Sequence, residues 1–111
     1  KIIYPNGAKG QLIGGIAQGL GYALMEGFTF KDGYPEKKNL FQYKIPTALD
    51  MPEVEVNLIE TNFPEGPFGA KNIAEPALIA TLPAIANAVF QATGVRCREF
   101  PISAKWLKKQ Q

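Results

Sequence analysis

One carboxylate stands out among the residues that could do chemistry here. Glu75 follows the run Gly69-Ala70-Lys71-Asn72-Ile73-Ala74 and precedes Pro76. A Gly/Ala loop leading into proline, a residue suited to the first turn of a helix, sets this acid at a helix mouth with few polar neighbours. It has two readings. As a helix N-terminal acid it is favoured by the dipole and by the free N–H groups. As a general base it needs only a held geometry and partial desolvation. The two readings are compatible. Composition closes most other routes: there is no histidine, one cysteine (Cys97) and one serine (Ser103). A Ser–His or Cys–His pair is impossible within the chain, and the usual zinc and iron ligand sets are absent. A metal would have to arrive with its own organic ligand.

Three further side chains are candidates for binding. Gln11 precedes a Gly-rich segment, so its amide either faces solvent, caps a helix, or addresses a bound polar ring. Gln18 is a second candidate of lower rank. Lys71 either neutralises a bound anion or is simply exposed. The run Gly14-Gly15-Ile16-Ala17-Gln18-Gly19-Leu20-Gly21 invites a nucleotide-loop reading, but the spacing is not G-x-G-x-x-G and no convincing strand feeds it. A close-packed helix is the better account. Glu26, Glu36, Glu53, Glu55 and Glu65 read as solvated surface acids.

The elements that must hold these groups follow from periodicity. Leu12, Ile16, Leu20 and Leu24 recur every fourth residue, which predicts a helix at about 10–27, after a strand end and a Pro5-Asn6-Gly7 turn. Gly15, Gly19 and Ala23 form a ridge of small residues on it, and its partner is expected to lie outside these 111 residues. Strands are expected at 28–33, ending in a Lys31-Asp32-Gly33 turn, at 40–45, 53–61 and, less distinctly, 95–101. Of these, 53–61 alternates most clearly, with Val54, Val56 and Leu58 on one face. A second helix is expected at about 76–93, with a short first turn, a kink at Pro83, and a stop at Gly94. An irregular, locally basic tail, Lys105 to Lys109, should follow. The fold class is α+β: two main helices packed with a few strands.

The order of three stretches resembles the C-terminal part of the molybdenum-binding subunit of the xanthine dehydrogenase / aldehyde oxidase family. Residues 10–24 (GQLIGGIAQGLGYAL) are similar to its Gly-Gln and Gly-Gly helix, and residues 43–52 (YKIPTALDMP) to its Tyr-Lys-Ile-Pro-Thr segment. Residues 69–76 (GAKNIAEP), with 83–88 (PAIANA), are similar to its Gly-Ala-Lys…Glu-Pro region. The resemblance implies that Glu75 is a general base that activates an oxygen nucleophile at a molybdenum centre. The carbon attacked is an electron-poor one in an N-heterocycle or aldehyde. It further implies that Gln11 contacts a pterin and that Lys71, Asn72, Ile73 and Ala74 lie against the metal centre, with no protein ligand to the metal. Molybdopterin carrying Mo is the implied cofactor, and the bacterial style of the motifs suggests its cytosine dinucleotide form. The 2Fe-2S clusters and FAD would sit in other domains or subunits. Asn72 and Ala74 replace the family's usual glycines, and the methyl of Ala74 narrows or shifts the loop beside the base.

Bulk properties agree with a part of something larger. A chain of 111 residues is one small unit, read as a single C-terminal segment, 1–111, of a molybdenum-binding domain and too small to enclose a large cofactor alone. The expected partners are the remainder of the molybdenum subunit, the iron–sulfur and FAD subunits or domains, and a small-molecule substrate. A net charge of +2 with scattered basic residues argues against a nucleic-acid partner. No membrane span or signal peptide is read, and the expected location is cytoplasmic; the isolated chain is expected to be inactive, because the resemblance implies that most cofactor contacts come from segments outside it. The competing expectation is a non-catalytic docking or assembly module that uses the Gly15/Gly19/Ala23 face.

Overall fold

A computed structural model describes residues 1–108, and Lys109 of the basic tail lies outside them. Its main elements are α1 (Pro5–Leu24), a hairpin of β1 (Phe30–Lys31) and β2 (Tyr34–Pro35), α2 (Pro76–Thr93) and α3 (Ala104–Lys108). The two long helices pack against each other, and a long irregular connection runs between the hairpin and α2. The α+β class stands, with less strand than expected.

α1 begins five residues earlier than the periodicity indicated. Pro5 opens the helix rather than a turn, because its missing N–H costs nothing at the first helical position. The amide of Ala8 already donates to the Tyr4 carbonyl at 3.0 Å. The helix ends at Leu24, where the amides of Met25 and Glu26 both return to the Gly21 carbonyl (2.9 and 2.8 Å).

The small-residue ridge is filled from within the chain, contrary to the expectation above. A β-carbon added at Gly15 would collide with Ala77, and one at Gly19 with Thr81, both on α2. These glycines let the two helices approach closely, which offsets the helix propensity they forfeit. α2 runs unbroken through Pro83. It ends as the sequence indicated, with Gly94 left-handed at φ 73° and its amide on the Phe90 carbonyl at 2.8 Å.

The expected strands fare less well. In place of one strand at 28–33 stands a tight hairpin, Phe30 opposite Pro35 and Lys31 opposite Tyr34. Asp32 and Gly33 carry the positive φ values (50° and 81°) that a two-residue hairpin turn requires. Residues 40–45 turn instead of extending, because the Asn39 side chain accepts from the amides of Phe41 and Gln42 (3.1 Å each). Residues 95–101 are irregular, and the expected irregular tail holds α3. The side chains of Trp106 and Leu107 on α3 cover a small cluster of Ala86, Cys97 and Ile102. Residues 53–61 form no strand and join no sheet among the described residues.

Candidate functional site

The loop before Glu75 is set by a sharp turn. Gly66 faces the Ala70 carbonyl so closely that no β-carbon fits there. A single 3₁₀ turn follows at Pro67–Gly69, with Phe68 at φ 55°, ψ 22° and Gly69 at φ 75°. Two successive left-handed residues, one of them not glycine, reverse the chain at a local cost in strain. The amides of Gly69 and Ala70 close the turn on the carbonyls of Gly66 (2.9 Å) and Pro67 (3.0 Å). Residues 70–74 then lead into α2.

Glu75 is the N-terminal boundary residue of α2. Its carbonyl accepts from the amides of Leu78 (3.0 Å) and Ile79 (3.2 Å), so its backbone is fixed. Its side chain caps no amide and is exposed. The hydrogen-bonding part of the helix-start reading is therefore not realised, while the dipole contribution remains, and the partial desolvation that the general-base reading calls for is not supplied by the described residues.

Gln11 and the loop come together. The Gln11 amide nitrogen donates to the Ile73 carbonyl at 3.3 Å, tying α1 to the segment that carries Glu75. Gln18 is turned to its own helix and donates to the Tyr22 hydroxyl at 3.1 Å. Lys71 lies 5.8 Å from the centre of the Phe63 ring, a weak cation–π contact. Lys71, Asn72 and Ile73 line an open cleft of about 590 Å³, with Leu12, Leu58 and Ile59 opposite. Gln11, Ala74 and Glu75 do not line it, so the candidates divide between the cleft wall and the helix start behind it. No group of three His, Cys, Asp or Glu able to hold a metal occurs among the described residues.

The segment 43–52 is fastened just beyond the C-terminal end of α1, through Tyr43 of the motif stretch and Glu26, which the sequence reading took for a solvated acid. Glu26 is half-buried, not a solvated acid, and it accepts from the Tyr43 hydroxyl at 2.6 Å. That bond, with burial and the negative charge of Glu26 adding to it, pushes the Tyr43 pKa up to about 12. Phe28 meets the Tyr43 ring edge-on at 5.7 Å. Pro46 lies against Gly21, where a β-carbon would crowd it at 2.8 Å. Further along, the Thr47 amide (2.8 Å) and hydroxyl (2.7 Å) both donate to Asp50. The amide bond first, then the hydroxyl bond, holds the Asp50 carboxyl below the ordinary carboxylate range. The Tyr that opens the Tyr-Lys-Ile-Pro-Thr stretch was the only signal in the sequence for this anchor.

Comparison with known proteins places these features in context. Residues 1–52 match the family described as the molybdopterin cofactor-binding domain. The chain is 39% identical, over 98% of its length, to the xanthine dehydrogenase molybdenum-binding subunit of Escherichia coli O157:H7, and spans 15% of that protein. It is 38% identical, over 93% of its length, to an aldehyde oxidoreductase molybdenum-binding subunit of Escherichia coli (strain K12), of which it spans 14%. The crystal structure of quinoline 2-oxidoreductase from Pseudomonas putida 86 superposes with a TM-score of 0.88 at 33% identity, over 97% of this chain and 14% of that one.

Proposed function

From this kinship with the molybdenum-binding subunits of the xanthine dehydrogenase / aldehyde oxidase family, we propose that the chain supplies the general base and one wall of the cofactor site in a molybdenum hydroxylase. The substrate class is an N-heterocycle or an aldehyde, with water as the oxygen source. When bound, molybdopterin supplies the Lewis-acidic, two-electron centre that these side chains lack. Glu75 takes the proton from the oxygen nucleophile on a carboxylate oxygen. The observation that carries this reading is that Glu75 has a fixed backbone and an uncommitted side chain: its carbonyl is held by two helix amides while its carboxylate caps nothing. Gln11 holds the loop through Ile73 and offers the rest of its amide to the pterin. Lys71 and Asn72 present a cation and an amide along the cleft, suited to the polar rim of a pterin, in its cytosine dinucleotide form. The iron–sulfur and FAD centres belong to partner domains or subunits, and the assembly is cytoplasmic. The alternative, docking through Gly15, Gly19 and Ala23, is less favoured because α2 already lies against Gly15 and Gly19.

The test is Glu75→Gln in the assembled enzyme, which keeps shape and removes the base. Turnover is expected to fall by about 10²–10⁴-fold, the usual range for a positioned acid–base group, with molybdenum per chain unchanged. Turnover within a few-fold of the parent would overturn the assignment.

A further inference from the structure

Glu75 stands between two points of α1. On its N-terminal side, the Gln11 amide nitrogen donates to the Ile73 carbonyl at 3.3 Å. On its C-terminal side, Gly15 lies against Ala77. Gln11 and Gly15 are about one helical turn apart and so share a face of α1. They meet the chain two residues before and two residues after Glu75. A helix of 20 residues thus holds the segment that carries this carboxylate on both sides of the point where loop becomes helix.

The two glycines that meet α2 are not equivalent. A β-carbon at Gly15 would collide with the Ala77 β-carbon and would also reach backbone: the Leu78 amide nitrogen at 3.1 Å and the Ala77 carbonyl carbon at 3.2 Å. At Gly19 the nearest atoms all belong to the Thr81 side chain. That side chain has a second rotamer open to it in a helix, at the expense of the bond from its hydroxyl to the Ala77 carbonyl (2.9 Å). Backbone cannot turn aside in this way, so a methyl at position 15 shifts the first turn of α2 as a body. The Leu78 amide that it would crowd is the one that donates to the Glu75 carbonyl at 3.0 Å. The path from Gly15 to the backbone of Glu75 is therefore one van der Waals contact and one hydrogen bond.

We infer that Gly15 is a positioning residue for the reaction: its lack of a side chain sets how closely the first turn of α2 seats on α1, and so where the Glu75 carboxylate stands. Gln11 fixes the same segment from the loop side. This rests on the reading of Glu75 as the base. Proton transfer needs the base within hydrogen-bond reach of the proton it takes, and a misplacement of about 1 Å costs about 100-fold in rate. The Glu75 side chain caps no amide, so the carboxylate inherits its place from the backbone. Gly19, one turn further along the same ridge, brings the helices together without touching that backbone.

The test uses enzyme assembled in its native cell with Gly15→Ala, Gly19→Ala, Gly15→Ala/Ala77→Gly or Glu75→Gln in this chain. Turnover is measured well below each melting temperature, with benzaldehyde and quinoline as the aldehyde and N-heterocycle probes and ferricyanide as electron acceptor. Molybdenum per chain and amide hydrogen exchange in the peptide holding Leu78 and Ile79 are read on the same preparations. Gly15→Ala is expected to lower kcat at least about 30-fold, with KM within about 3-fold and molybdenum unchanged. It should also speed exchange in that peptide at least about 10-fold. Gly19→Ala should keep kcat within about 3-fold of the parent. The double variant removes the worst collision but leaves the Leu78 amide crowded, so its kcat should fall between the two, and it carries the comparison if Gly15→Ala does not assemble. A kcat for the Gly15 variants no lower than that of Gly19→Ala would overturn the inference, as would loss of molybdenum in step with turnover. Unchanged exchange in the peptide would overturn it even where neither probe is oxidised. A Glu75→Gln enzyme as fast as the parent overturns the catalytic reading and the inference with it. An inactive Glu75→Gln enzyme beside fully active Gly15 variants overturns the inference alone.

Discussion

At the scale of single residues, the decisive contrast is between two carboxylates the sequence could not rank by environment. Glu75 is left free at a helix start, while Glu26 is committed to the Tyr43 hydroxyl at 2.6 Å. The Tyr43 bond carries a pH signature. Its folded pKa, raised from about 10 to about 12, favours the protonated hydroxyl in the native state. The bond's stabilisation is therefore fully present below about pH 10, declines as pH rises, and is gone once pH has passed through about 12. In a spectrophotometric titration of the four tyrosines, Tyr43→Phe is expected to delete the step near pH 12 and to flatten the loss of stability between about pH 10 and 12. An unchanged high-pH step would show that Tyr43 is not so held.

At the scale of elements, the contact of α1 with α2 explains why a helix tolerates so many glycines. Gly15 and Gly19 lie where a methyl would strike Ala77 and Thr81, whereas nothing lies within 4 Å of a β-carbon at Gly14. Opposite effects follow for the same chemical change. Gly15→Ala gains about 1 kcal/mol of helix propensity but forces the helices apart at a cost of about 1–3 kcal/mol, so the melting temperature should fall. Gly14→Ala has only the gain and should raise stability by up to about 1 kcal/mol. Thermal unfolding of the two variants, followed side by side, checks the assignment: a similar shift in both would mean the helices are not in close contact at Gly15. The Gly66 turn is the other element that no substitution with a side chain would leave intact, because the Ala70 carbonyl fills the space.

At the scale of the molecule, the core is too small for the surface. Among the described residues the buried apolar ones are Ala23, Ala77, Ala86, Cys97 and Ile102, and no large side chain is fully buried. The radius of gyration is 17.4 Å, against about 13 Å for a compact domain of this length. α2 is long and apolar enough to cross a membrane by length and composition, yet here one side of it packs on α1 and much of the rest stands open. The purified chain alone is expected to bind a hydrophobic dye such as anilinonaphthalene sulfonate, to melt broadly and to show no turnover. Incorporation into the proposed hydroxylase should abolish the dye signal and sharpen the transition. A sharp melt and no dye binding in the isolated chain would mean that its surface is self-sufficient.

The sequence by itself determined the two long helices, the glycine stop at Gly94, the tight Asp32-Gly33 turn and the position of Glu75 at a helix start. Each of these is decided by local chemistry: a 3.6-residue apolar period, a residue that accepts positive φ, a proline at a first turn. It also carried the motif order that resembles the molybdenum-binding subunits. Only the tertiary structure decided what filled the glycine ridge, that Gln11 reaches the Ile73 carbonyl, that Glu26 holds Tyr43, and that the alternating segment 53–61 has no partner strand among the described residues. Those are contacts between residues 17 to 62 positions apart or, for the strand, the lack of any among the described residues. Alternation marks a residue pattern as fit for a sheet, but the pairing energy lies in backbone bonds to another strand. No local pattern contains that strand.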